Sequence, residues 1–396
     1  MNEGSYGEPI SAGALGIQRY QDELEVTFAS GIDLNQIRTL LGQAREKAGA
    51  PVERVLTLNL VGVHFSAASW NKAVPALEAT ATLHPSRVIG LVALPAAETS
   101  AVTARVSVKR PKGAAFFMER IVLTATGAAV RHLESAMLGL LVTDVPVAMV
   151  WGGRAEGDLL AHLVEQADRL ILDSGSRSPE GLRHVANLAS RGVPVGDLAW
   201  ARIFPWQSLA ADVLDIPNLR EHRDRLQSAR ITTNGPPGAE ALLLAGWFQS
   251  RVKRAKVMLV AATEPVATAK APETPNTPNT PPNTPEPRAS PLPPPEPPSP
   301  GQVVEFQFEA PPVEFVLRRE KSGILEAQVR GDDDGELVHR LRLSPESPGR
   351  LLLLELKLLH GIDEIYAAAL EEAARFAAPG AGAKEANGAK GAKGVK

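Results

Sequence analysis

Residues 144–176 read DVPVAMVWGGRAEGDLLAHLVEQADRLILDSGS. Val145–Trp151 is apolar throughout, the pattern of a strand buried on both faces. A helical stretch over 157–167 follows, and Arg169–Leu172 reads as a second buried strand. Buried strand, helix, buried strand is the succession expected of an α/β sheet.

The alternation continues outward. Residues 32–48 carry an apolar stripe of Ile32, Leu34, Ile37, Leu40 and Leu41, with Asp33 placed to cap the helix. Arg54–Val63 is β-branched and leucine-rich, and a helix is expected over 66–82, kinked or shortened by Pro75. Further strands are expected at Ser86–Leu94, Ala101–Val108 and Glu119–Ala125, with helices over 128–142, 179–191, 206–214 and 239–255. After a partly flexible N-terminal segment (1–30), residues 31–262 are thus expected to form an open sheet flanked by helices, with a sub-boundary near 143.

Residues 263–301 replace every hydrophobic pattern with Pro, Thr, Asn and Glu (TPNTPNTPPNTPEP, PLPPPEPPSP), the composition of an extended polyproline linker. Four short alternating segments then follow, at 302–308, 313–319, 323–330 and 336–343, with a turn signal at Gly331–Gly335. Leucine- and alanine-rich stretches at Leu351–Leu359 and Ile362–Phe376 are expected to be helices covering that sheet, so 302–378 reads as a small α+β domain. Residues 379–396 are a Gly/Ala/Lys tail.

The 396 residues are 44% hydrophobic and 22% charged, enough apolar matter for real cores. A net charge of −3 supplies no positive field for nucleic acid or an anionic membrane. Without cysteine, disulfides, thiolate metal sites and a cysteine nucleophile are excluded. No signal-peptide pattern or membrane-length apolar run occurs, so a cytoplasmic location is expected.

Motifs for chemistry are missing: no GxGxxG, Walker loop, GxSxG or HExxH. No catalytic, cofactor or metal residue is therefore assigned. Trp151-Gly-Gly-Arg154 and Asp173-Ser-Gly-Ser176 follow strands, where α/β folds hold ligands, but tight capped turns have the same composition. They leave open a sugar-phosphate- or nucleotide-binding α/β protein or enzyme using the loops near Arg154 and Asp173. The richest cluster is Asp197–Trp206 (DLAWARIFPW), which with Trp151 and Trp247 gathers four of the five tryptophans. Trp200 and Trp206 are either interface anchors, with Arg202 stacking and pairing with a carboxylate such as Asp197, or core residues with Pro205 in a first helical turn. Trp151, Arg154, Asp197, Trp200, Arg202 and Trp206 are the candidate partner contacts.

Six strings taken together resemble one family: RVLTLNL (54–60), HPSRVI (84–89), DVPVAMVW (144–151), ADRLILDS (167–174), DLAWARIFPW (197–206) and LLAGW (243–247). It is the glucose-6-phosphate dehydrogenase assembly protein family, OpcA. The resemblance covers roughly residues 30–260 and resumes at Leu351–Leu370. It implies a non-enzymatic partner of glucose-6-phosphate dehydrogenase that promotes the active oligomer or activates it allosterically, at the entry to the oxidative pentose phosphate pathway. Two features depart from it: Gly152-Gly153 stand where relatives commonly carry a second tryptophan before the arginine, and a chain without cysteine cannot respond directly to thiol redox state.

Overall fold

Buried strands and helices alternate through the first part of the chain. The computed structural model describes residues 16–18, 22–29, 31–50, 56–111, 114–154, 157–176, 178–262, 299–320, 323–331, 337–343, 347–359 and 361–378. In order come β1 (Leu24–Phe28), α1 (Leu34–Ala48), β2 (Leu58–His64), α2 (Ala67–Ala81), β3 (Ser86–Leu94), β4 (Val102–Lys109), β5 (Met118–Thr126) and α3 (Leu133–Leu140). They are followed by β6 (Val147–Trp151), α4 (Asp158–Val164), β7 (Arg169–Leu172), α5 (Pro179–Ser190), β8 (Val195–Asp197) and α6 (Leu198–Leu214). The Asp33 side chain accepts from the amides of Asn35 and Gln36 to start α1, and Gly49 ends that helix in the left-handed region at φ 64°.

These strands form one sheet in the order β1-β4-β5-β3-β2-β6-β7-β8. From β5 to β8 all neighbours are parallel, while β4 is antiparallel to β5 and to β1. From β2 the chain first builds outward to β3, then returns to β6 on the other side, so the strand order reverses between β2 and β6. A crevice outside the strand C-termini at that switch point is where such sheets hold ligands.

The remaining elements are β9 (Ser228–Thr233), α7 (Ala239–Arg251), β10 (Lys256–Ala261), β11 (Val303–Ala310), β12 (Val313–Arg319), β13 (Ile324–Arg330), β14 (Leu337–Arg342), α8 (Pro348–Leu356) and α9 (Glu364–Phe376). The chain divides into two compact units, one holding Met1–Arg202 with Glu346–Ala378 and the other built around Ile203–Pro345. The second has its own sheet, β10-β9-β11-β12-β13-β14, antiparallel except for the parallel pair β9 and β10. Phe248 of α7 packs edge-on to Phe306, and Phe306, Phe308 and Phe315 follow one another at centroid distances of 5.1 and 4.8 Å. The opposite face is a cross-strand charge ladder, with Arg318–Glu305 at 2.5 Å and Arg340–Glu326 at 2.6 Å.

An α/β sheet flanked by helices, then a second sheet and C-terminal helices, agrees with the fold class expected from sequence. Four details differ. The last two helices do not cover the second sheet. α8 packs on α2 and α9 on α5, with Leu352 and Leu356 joining the core of Trp70, Val74 and Leu77. Their apolar stripes announce a buried face without naming the surface that buries it. Pro75 does not end α2, because Trp70, Val74, Leu77 and Ala81 are buried around it and offset the lost hydrogen bond. Pro205 lies inside α6 and not in a first turn, since that helix already starts at Leu198. Finally, β1, β8, β9 and β10 were not anticipated, and the helix expected to reach residue 255 stops at Arg251, ahead of the edge strand β10. The start of the expected 54–63 strand, most of the 1–30 segment, the 263–301 linker apart from 299–301, most of the 331–335 turn and the 379–396 tail lie outside the described residues.

Gly90 on β3 decides how closely α2 approaches the sheet. A Cβ there would lie 2.4 Å from the Trp70 ring, itself 2% exposed. Gly90→Ala is expected to destabilise the protein by about 1–3 kcal/mol through overpacking, read as a lowered urea midpoint.

Candidate functional site

Asp197, the last residue of β8, is fully buried. One carboxylate oxygen accepts the Ser174 amide from the loop after β7 at 3.0 Å and the Ala199 amide at the start of α6 at 2.9 Å. The Tyr366 hydroxyl of α9 donates to the other at 3.1 Å. Burial pushes the Asp197 carboxyl up and hydrogen bonds from Ser174 and Ala199 oppose it, while burial and the facing Asp197 charge push the Tyr366 hydroxyl well up.

Around this carboxylate the strand ends gather further polar groups. Arg202, in the next turn of α6, pairs with Asp173 and not with Asp197, the carboxylate named from sequence. Asp197 is already engaged by two amides and a hydroxyl. Trp200 is half-buried; its ring tilts against Tyr366 at 5.4 Å, and its indole N–H donates to Asp363 at 3.3 Å. The other Asp363 oxygen caps α9 through the amides of Ile365 and Tyr366.

Beneath them Arg169 of β7 meets Glu355 of α8 at 2.8 Å, with 1% and 6% of their side chains exposed. Gly196 makes room for this pair, because a Cβ there would fall 2.4 Å from the Glu355 carboxylate. Burial raises the Glu355 carboxyl to about 7, against the opposing pull of Arg169.

At the switch point the crevice is lined by the chain's own rings. Trp151, 3% exposed, donates its indole N–H to the Arg154 carbonyl at 2.6 Å and meets Phe65 edge-on at 5.3 Å. His64 is buried, bonded to the Ser69 hydroxyl at 2.8 Å, and lowered to about 4 by desolvation, so it is neutral near pH 7. Any Cβ at residue 152 would come within 2.3 Å of His64, and at residue 153 within 2.2 Å of Phe65. Glycines stand there because two rings lie against the loop, and an indole at 152 has no room in this arrangement.

Of the six candidates from sequence, Asp197, Trp200 and Arg202 gather at the β7 and β8 ends, and Trp151 and Arg154 stand at the β6 end. Trp206 is 2% exposed and falls in the second unit. Arg169, Glu355, Asp363 and Tyr366 were missed. Their signals were faint: charges set in the apolar runs DRLIL and LLLLELKLL, and an Asp ahead of a helix. Among the described residues no group of three or more His, Cys, Asp or Glu could hold a metal ion, and no helix is long and apolar enough to cross a membrane.

Strand order and strand-end chemistry together define an α/β protein with a doubly wound sheet. Two family models match in tandem, the glucose-6-phosphate dehydrogenase subunit N-terminal domain over residues 77–190 and the corresponding C-terminal domain over 193–370. The chain belongs to this family, OpcA. A protein from Nostoc punctiforme, provisionally named OxPP cycle protein OpcA, is 29% identical over 179 residues, covering 43% of this chain and 38% of that protein. The protein of the same provisional name from a Synechocystis species is 28% identical over 139 residues, 34% of this chain and 29% of its own length. The matched region therefore spans only 38% and 29% of those relatives. A solved structure from Sinorhizobium meliloti, provisionally identified as a myo-inositol dehydrogenase, aligns over 81% of this chain and 95% of its own at 11% identity and a TM-score of 0.30, too slight a likeness to indicate shared chemistry.

Glu355 makes the seat of α8 proton-dependent. Its carboxyl is raised in the fold, so its stabilising contribution is complete below the ordinary value of 4.5 and is lost as pH rises through about 7. Urea midpoints are expected to fall between pH 5 and 8, with a contribution on the order of 3 kcal/mol, and Glu355→Gln should flatten that slope.

Proposed function

We propose that this chain binds glucose-6-phosphate dehydrogenase without catalysing a reaction itself, and favours that enzyme's active oligomer or conformation in the cytoplasmic oxidative pentose phosphate pathway. The observation that carries this reading is the tandem match to the two dehydrogenase-subunit domains across most of the chain. The strand-end geometry supports it: His64, Phe65 and Trp151 occupy the switch-point crevice, and Asp197 is engaged by backbone amides and a tyrosine. Such groups brace a surface.

A partner that performs no chemistry changes rate only by binding one state of the enzyme more tightly than another. A coupling of about 1–3 kcal/mol would change apparent substrate affinity roughly 5- to 150-fold, and substrate would tighten the complex reciprocally. The groups proposed to meet the dehydrogenase are the exposed Arg154 and the half-buried Trp200 with the Arg202–Asp173 pair beside it. Trp151 and Asp197, both buried, lie beneath those groups in the first unit, whereas Trp206, also buried, belongs to the second unit and is not proposed as a contact.

The test mixes the purified chain with its cognate dehydrogenase and follows kinetics and size. A lowered KM for glucose 6-phosphate, or a shifted oligomer distribution with co-elution, is expected; unchanged kinetics at saturating protein with no co-elution defeats the proposal. Arg154→Ala should lose activation at an unchanged melting temperature. Trp151→Ala should instead cost about 3–5 kcal/mol of stability. A large thermal shift with sugar phosphates or nicotinamide cofactors, without the dehydrogenase, would favour a ligand site near Arg154 and Asp173.

A further inference from the structure

Among the described residues two open sheets present four edge strands, and three of them carry features that discourage pairing with another chain. β8 is three residues long. β1 carries Glu25, held by Arg105 at 2.7 Å. β14 presents His339, Arg340 and Arg342 within six residues.

The fourth edge, β10, has none of these. Its sequence is KVMLVA, with one charge, Lys256, at its start. Val257, Met258, Leu259 and Val260 are all half-buried, and among the described residues β9 is its sole strand neighbour. Val257, Leu259 and Ala261 lie on the face of Ala229 and Ile231, which are buried; Met258 and Val260 lie on the face of Arg230 and Thr232.

We infer that β10 is the interface with a second copy of this chain, the two β10 strands pairing antiparallel about a two-fold axis so that the six-stranded sheets become continuous. The strand is self-complementary in this sense. With the axis perpendicular to the sheet at Leu259, that residue faces its own copy, Met258 faces Val260 and Val257 faces Ala261. Every cross-strand pair is then apolar, and Lys256 does not meet Lys256 of the other copy. A two-fold arrangement needs this property, because the same patch must serve both sides. Five residues of each strand, 257 to 261, pair in this register, a small interface, so the dimer is expected to be weak and concentration-dependent.

The experiment measures mass by light scattering and sedimentation on the full chain across a dilution series. Wild type should move from the 42.1 kDa monomer to twice that mass as concentration rises. Met258→Lys and Val260→Glu should each shift the transition to higher concentration with an unchanged circular dichroism spectrum. The double variant, which sets lysine opposite glutamate across the axis, should recover pairing. That recovery separates an interface from a strand needed merely for folding. A monomer at every concentration overturns the inference, whether the edge is then covered by another stretch of the chain or by a different protein. So does a dimer that both single variants leave intact.

Discussion

A carboxylate withdrawn from water must be met by donors, and in the first unit Asp197 sets that requirement. Its oxygens take amides from the loop after β7 and from the start of α6, and the hydroxyl of Tyr366 on α9. Three segments, the farthest 169 residues from Asp197 in sequence, are thereby tied to one strand end. The neighbouring Arg169–Glu355 pair does the same for α8, and it exists because Gly196 leaves space for it. Removing one partner from such a pair leaves an uncompensated charge in the interior, so the pair fixes where the C-terminal helices sit more than it adds net stability.

Close approach explains the glycines of the candidate site. Gly152 and Gly153 resemble a loop that would cradle a phosphate, yet His64 and Phe65 lie within van der Waals reach of where their side chains would be. In a doubly wound sheet the switch point ordinarily receives a ligand. Here the rings of His64, Phe65 and Trp151 stand at that place, and exposed groups such as Arg154 surround them. A surface built this way is braced from within.

Much of this was legible in the sequence. Val147–Trp151 and Arg169–Leu172 are apolar enough to be recognised as strands buried on both faces, and Asp33 identified the first helix by its capping chemistry. The aromatic cluster after Asp197 draws attention to the strand end where Asp197, Trp200 and Arg202 gather. Arg202 was paired with the wrong acid, because Asp197 and Asp173 are equally good partners until the fold has used one of them.

Sequence by itself determined the α/β class, the positions of most strands and helices and the family, since these rest on local periodicity, capping and matched strings. Tertiary structure alone decided that α8 and α9 pack on α2 and α5, that Tyr366 and Asp363 bond to Asp197 and Trp200, and that Gly152 and Gly153 serve packing. The physical reason is that an apolar stripe or a lone charge specifies that a partner is needed, whereas only the folded chain specifies which one.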